Sequence, residues 1–307
     1  MRTLLKTIAT CTLAAISLNA QGQDESTDFS SFAAGPYQVE TVSIDERSGS
    51  PAQMDVYLPN TEEDVVLPLV YMNHGFLVQN QFYSKILTRI ASHGFAVIAP
   101  QMYGRSPLPF GKPSLTNEAN LGIRIISWAQ TNLGDLVGRQ ISSDQLALMG
   151  HSRGGQVSWN IAARSSLTIS GIIGLDPVDG NRRDAITDSA LASVPSLTIG
   201  AGLGGSCAPE GRNYKNFFGA TDKGLDQWLV IGENFGHMDL LDQDCGIPCL
   251  VCRKAGANFS RDNFITAVAG STTAFLKKTL RGNQTMGAEI EAFFAMDAGY
   301  TVITDAE

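Results

Sequence analysis

At 307 residues, with 43% hydrophobic and 17% charged side chains, the chain can bury one large core and is too apolar for a disordered tail. Its 22 basic side chains against 30 acidic ones give a formal charge of -8, which repels phosphate backbones and sets nucleic acid aside as a partner.

Residues 1–22 read as a secretory signal peptide. Arg2 and Lys6 form a basic start, an apolar stretch covers 7–18, and cleavage fits after Ala20 or Gly22. That stretch is shorter than the ~20 apolar residues a membrane-crossing helix needs, and no later segment qualifies, so an exported protein without an integral membrane span is expected. A polar leader over 23–36, solvated through Phe32, precedes a single domain over 37–307. From there short apolar runs alternate with longer amphipathic ones, the rhythm of an α/β fold with a mostly parallel central sheet flanked by helices. Strands over 37–44 and 54–58, joined by Arg47-Ser48-Gly49-Ser50-Pro51, form the outer edge of that sheet. A buried strand over 66–72 ends at Asn73-His74-Gly75-Phe76. Phe82, Ile86, Leu87 and Ile90 then recur at helical spacing, and Gly94 ends their helix. A strand over 95–99 leads into a proline-rich loop over 100–113, and Ile123, Ile126 and Trp128 sit on the next helix. A strand over 145–149 meets Gly150-His151-Ser152-Arg153-Gly154-Gly155, with helix resuming through Ala163. Strands over 169–175, 196–199 and, last, 227–231 follow. A long closing helix over 258–280 carries Phe264, Val268, Thr272 and Phe275. The tail, with Ile290, Phe293 and Phe294, reads as a short helix that frays at Asp305.

Cys11 leaves with the signal, so the mature chain keeps Cys207, Cys245, Cys249 and Cys252. In an oxidising compartment four clustered cysteines imply two disulfides of open connectivity. The spacing of Cys249 and Cys252 also suits zinc, although no second such pair accompanies it. Asn258-Phe259-Ser260 and Asn283-Gln284-Thr285 are acceptor sequences for N-glycosylation.

The chemistry centres on Gly150-His151-Ser152-Arg153-Gly154, a Gly-x-Ser-x-Gly elbow in its required context of strand before and helix after. A serine at such a turn is held out to attack, and glycines let the neighbouring backbone pass. A serine hydroxyl needs a base. Of the four histidines, His151 lies inside the elbow pointing away, His93 sits at a helix end where its charge could meet the dipole, and His74 lies near the oxyanion region. His237 follows the last expected strand, where the base of an α/β-hydrolase belongs. The acid that orients it stays open among Asp176, Asp179 and Glu210, with topology alone favouring Glu210. The backbone N–H groups of Arg153 and Phe76 are the candidate oxyanion hole.

These segments resemble the chlorophyllase family. The resemblance is carried by His74-Gly75-Phe76-Leu77 with Phe82-Tyr83-Ser84, by Ser92-His93-Gly94-Phe95, and by Ala99-Pro100-Gln101-Met102-Tyr103. It continues through Gly150 to Gly155, Gly174-Leu175-Asp176-Pro177-Val178-Asp179-Gly180, Gly202-Leu203-Gly204, Cys207-Ala208-Pro209 and Gly236-His237-Met238-Asp239. It implies an α/β-hydrolase that cleaves the phytyl ester of chlorophyll to chlorophyllide and phytol. The family's nucleophile, acid and base fall on Ser152, Asp176 and His237. It implies no cofactor: the magnesium of chlorophyll enters with the substrate. The exported start then suits a periplasmic or secreted relative, or a protein carried to a plastid by the secretory route. The loop over 103–115, with Pro107, Leu108, Pro109, Phe110 and Pro113, could wall a cavity for a long hydrocarbon. The other readings are a broad carboxylesterase or polyester hydrolase, and a catalytically silent pigment-binding protein.

Overall fold

The computed structural model describes residues 29–62, 64–103, 113–180, 192–222 and 224–304. Among them, β1 (Val39–Ile44), β2 (Met54–Pro59), β3 (Val66–Asn73), β4 (Ala96–Pro100), β5 (Gln140–His151), β6 (Gly171–Leu175), β7 (Ser196–Ala201), β8 (Gln227–Gly232) and β9 (Tyr300–Thr304) join in one sheet. Its order is β1-β2-β4-β3-β5-β6-β7-β8-β9. From β4 to β8 every neighbouring pair is parallel, whereas β1, β2 and β9 are antiparallel additions at the two edges. The helices are α1 (Ser84–Ser92), α2 (Leu115–Trp128), α3 (Gly134–Val137), α4 (Arg153–Arg164), α5 (Tyr214–Phe218), α6 (Ile247–Val251), α7 (Arg261–Arg281) and α8 (Met286–Phe294).

The continuous apolar runs of the central strands follow from burial on both faces. Along β3, Val70 and Met72 join α1 residues Ile86, Leu87 and Ile90 and α7 residues Phe264, Val268 and Phe275. Their neighbours Leu69 and Tyr71 turn the other way, onto Ile125 and Ile126 of α2 and Val157, Trp159 and Ile161 of α4. Each such side chain, fully buried, contributes roughly 1.5–3 kcal/mol. α7 starts at Ser260, whose hydroxyl accepts from Asn263 N–H, and stops at Gly282, whose left-handed φ of 72° lets its N–H return to the last turn. The parallel sheet with helices on both faces is the expected α/β-hydrolase fold.

Three differences have physical causes. β5 begins at Gln140 rather than Gln145, because its first residues pair with Val66 and Leu67 before a register shift in β3. The tail does not fray after α8. Tyr300-Thr301-Val302-Ile303-Thr304, a β-branched run, adds β9 to the open edge of β8, so 227–231 is not the last strand. The leader is not solvated at its end: Phe32 is buried against Phe293 and Phe294, and Ser31 bonds the buried Glu289 carboxylate through N–H and hydroxyl. The expected signal peptide and Cys11 lie outside the described residues, as do Pro107, Leu108, Pro109 and Phe110. No helix among the described residues is long and apolar enough to cross a membrane.

Candidate active site

The elbow expected at Ser152 forms between β5 and α4. Ser152 takes φ 56° and ψ -125°, a conformation costing of order 1–3 kcal/mol for a side chain with Cβ. The sheet imposes it: Ser152 N–H donates to the Leu175 carbonyl at 3.1 Å, while the Ser152 carbonyl accepts from Val178 N–H at 3.1 Å. The surrounding glycines are required by contact. A Cβ on Gly150 would come within 2.2 Å of the Gly154 carbonyl oxygen, and one on Gly154 within 2.2 Å of the Asn73 carbonyl oxygen. The start of α4 is thereby pressed against the ends of both β5 and β3.

Ser152 Oγ lies 2.9 Å from His237 Nε2, and His237 Nδ1 lies 2.5 Å from Asp176 Oδ2. Asp176 cannot donate as a carboxylate, so Nδ1 carries the imidazole proton and Nε2 is left to accept from the serine hydroxyl. His237 and Asp176 are buried whereas Ser152 is half-buried, so the serine is the member that solvent or substrate can reach. Asp176 follows β6 with φ 37°, and its Oδ1 accepts from Ala201 N–H at 3.0 Å, which holds the carboxylate from the far side. The other two acids are engaged elsewhere. Asp179 accepts from Gln156 Nε2 at 3.0 Å and Gly180 N–H at 2.8 Å, and Glu210 is an exposed partner of Lys215.

In the loop after β3, which carries the expected oxyanion donor Phe76, the carbonyl of Gly75 accepts from Val78 N–H at 3.2 Å, Tyr103 O–H at 3.3 Å and His74 Nδ1 at 2.8 Å. His74 Nε2 faces Met102 N–H at 3.0 Å, so the proton of this neutral imidazole sits on Nδ1. Burial pushes the His74 pKa down to about 4, which keeps it neutral. The Gly75–Phe76 peptide is therefore fixed in direction and polarised from its carbonyl end. Arg153 opens α4, and its side chain turns aside: Nε bonds both oxygens of the buried Glu118 at 3.0 and 3.1 Å, and Nη2 reaches the Pro113 carbonyl at 3.3 Å. Its backbone N–H stands at the positive end of α4 beside Ser152.

His151, expected to point away from the serine, is fully buried beneath the His237 loop, the two rings 4.6 Å apart. The loop is braced by Asp239, whose Oδ2 accepts from Gly236 N–H and Ala255 N–H, both at 2.7 Å. The cysteines form Cys207–Cys252 and Cys245–Cys249, so the two cysteines with zinc spacing belong to different bridges. Cys207–Cys252 ties the loop after β7 to the stretch around Arg253, whose Nη1 bonds the Leu203 carbonyl at 2.8 Å and whose backbone packs on Gly236. Among the described residues no group of three or more His, Cys, Asp or Glu could hold a metal ion.

The sequence profile of the family described as Chlorophyllase matches residues 27–296. Chlorophyllase-1, chloroplastic, of Citrus unshiu is 32% identical over 277 residues, covering 82% of this chain and 81% of the relative. Chlorophyllase-2 of Arabidopsis thaliana is 33% identical over 264 residues, covering 76% and 79% respectively.

Proposed function

The chain belongs to the chlorophyllase family, and we propose that it is a serine carboxylic-ester hydrolase that cleaves the phytyl ester of chlorophyll to chlorophyllide and phytol. The observation that carries this reading is the unbroken line Ser152 Oγ, His237 Nε2, His237 Nδ1, Asp176 Oδ2, with spacings of 2.9 and 2.5 Å. In the proposed reaction His237 takes the proton of Ser152 as its oxygen attacks the ester carbonyl. The N–H groups of Phe76 and Arg153 hold the oxyanion, and Asp176 balances the charge that forms on the imidazole. His237 next protonates the departing alcohol. Water, deprotonated by the same imidazole, then releases the acid from the serine. Nothing in these steps draws on a cofactor, and the partner is a hydrophobic ester.

The test is incubation of the purified protein with chlorophyll, with chromatography for phytol and chlorophyllide, beside Ser152→Ala. Release by the parent and none by the variant is the expected result. Turnover of short p-nitrophenyl esters without release of phytol would keep the serine chemistry and remove chlorophyll as its substrate. We also propose an exported protein, since two disulfides suit an oxidising compartment. N-terminal sequencing of the mature protein, beginning near residue 21 or 23, checks it.

A further inference from the structure

His151 and Tyr83 are a buried polar pair that the chemistry above leaves unused. Tyr83, the last residue of a short 3-10 turn before α1, sends its hydroxyl beneath the elbow. Gly75 N–H donates to Tyr83 Oη at 2.9 Å, Tyr83 Oη lies 2.7 Å from His151 Nδ1, and His151 Nε2 lies 3.1 Å from the carbonyl oxygen of His237. The direction of every proton follows. A carbonyl can only accept, so His151 Nε2 carries hydrogen and donates. Burial and the neighbouring His237 ring hold the His151 pKa well below the usual histidine range, so the ring is neutral and Nδ1 accepts from the tyrosine hydroxyl. The tyrosine oxygen is left with lone pairs for Gly75 N–H.

We propose that Tyr83 and His151 are positioning residues: they form one directed hydrogen-bond chain that fixes the peptide before the oxyanion donor Phe76 and the backbone of His237 relative to each other. This rests on the serine-hydrolase reading. The chain spans the two halves that must converge on one carbonyl carbon, the β3 loop and the β8 loop, and it passes through the elbow that carries the serine. Its second effect is electrostatic. Protonated His151 would set a cation 4.6 Å from the His237 ring, which must itself become a cation during attack. A hydroxyl donating to Nδ1 occupies the lone pair that would take that proton. A misplacement of about 1 Å at such a site costs about a hundredfold in rate.

The experiment compares the parent with Tyr83→Phe, His151→Leu and His151→Gln, using p-nitrophenyl butyrate hydrolysis and labelling by a fluorophosphonate. If the parent is not labelled at Ser152, the underlying reading fails, whatever the variants do. With labelling established, His151→Leu is expected to lower kcat about tenfold or more with KM little changed. His151→Gln, whose side-chain amide N–H can still donate to the His237 carbonyl, recovers most of that loss. Tyr83→Phe lowers kcat about tenfold, because it removes the acceptor for Gly75 N–H. Leucine and glutamine variants of equal activity, or a KM that rises in step with the fall in kcat, would overturn the proposal. If His151→Leu does not fold, Tyr83→Phe and His151→Gln decide it: parent-level kcat in Tyr83→Phe, or a glutamine variant more than about a hundredfold slower than the parent, refutes it.

Discussion

Acid should unfold this protein through its buried histidines. His74 is 3% exposed, and burial pushes its pKa to about 4. His93, expected at the end of α1 as a cation facing the helix dipole, is buried and pushed down to about 4 by burial and by Lys277. Its Nε2 donates to the Ala33 carbonyl at 3.1 Å. Below the unfolded histidine pKa of about 6.5 the unfolded chain binds protons that the folded chain refuses, so stability falls with pH down to about 4 and then levels. For His74 the loss between about pH 7.5 and about pH 5 comes to roughly 2 kcal/mol, and for His93, discounted for solvent screening of a less deeply placed ring, to roughly 1 kcal/mol. His151 shifts in the same direction. Together these reach a large part of a typical stability of about 5–15 kcal/mol. His93→Gln isolates one contribution, since glutamine keeps a donor for Ala33 and cannot titrate. Urea unfolding of parent and variant at the two pH values is the assay. The gap between them should narrow by about 1 kcal/mol in the variant. An unchanged gap means His93 takes up its proton as readily folded as unfolded, and the reasoning from burial fails.

Three further outcomes follow from the site. Asp176→Asn should lower kcat by about a thousandfold or more, because an amide can hold the wrong imidazole tautomer, whereas Glu210→Gln should stay within about twofold; the reverse ranking in p-nitrophenyl ester assays would move the acid to Glu210. Cys207–Cys252 closes a separation of 45 residues and Cys245–Cys249 one of 4. Loop-closure entropy gives about 4 and about 2 kcal/mol for them, so alanine pairs at the two bridges should differ by about 2 kcal/mol in denaturant unfolding, the long bridge mattering more. Ser152→Gly should abolish turnover and raise stability by about 1 kcal/mol, since glycine adopts φ 56° without strain; a variant less stable than the parent by calorimetry would count against stored strain at the elbow.

What was legible in the sequence tracks how local the determining physics is. The strand of β3, the elbow at Ser152 and the helix of α7 are marked by runs of adjacent residues, and they read correctly, although the contact that requires glycine at 154, with the Asn73 carbonyl, is distant in sequence. The acid was a contest among Asp176, Asp179 and Glu210, because spacing along the chain says nothing about which carboxylate reaches a histidine 61 residues later. The resemblance, not the spacing, pointed to Asp176. β9 was missed because five β-branched and aromatic residues at a chain end have no strand of their own to pair with until β8 is in place. The partners of His151 were not legible for the same reason: Tyr83 and His237 lie 68 and 86 residues away. A buried imidazole between Gly150 and Ser152 at the end of a central strand carries a signal only once its surroundings are known.

The backbone itself marks where the fold gives up stability. Among the described residues, the non-glycine positions with positive φ are Leu77 at 60°, Ser152 at 56° and Asp176 at 37°. They follow β3, β5 and β6, three strands adjacent in the sheet, and all at the carboxyl ends. A strained residue persists only where its surroundings over-determine it. Here Ser152 and Asp176 are clamped by inter-strand bonds, Ser152 to Leu175 and Asp176 to Ile199 and Ala201, so relaxing either would break the parallel ladder beneath it. The sheet's cooperativity is thus what keeps a serine hydroxyl and a carboxylate aimed at one imidazole. The same argument explains why the elbow's glycines must be glycines: the clamp works by close approach, and a single Cβ at Gly154 would push the start of α4 off the end of β3 and so move the loop after β3 away from the serine.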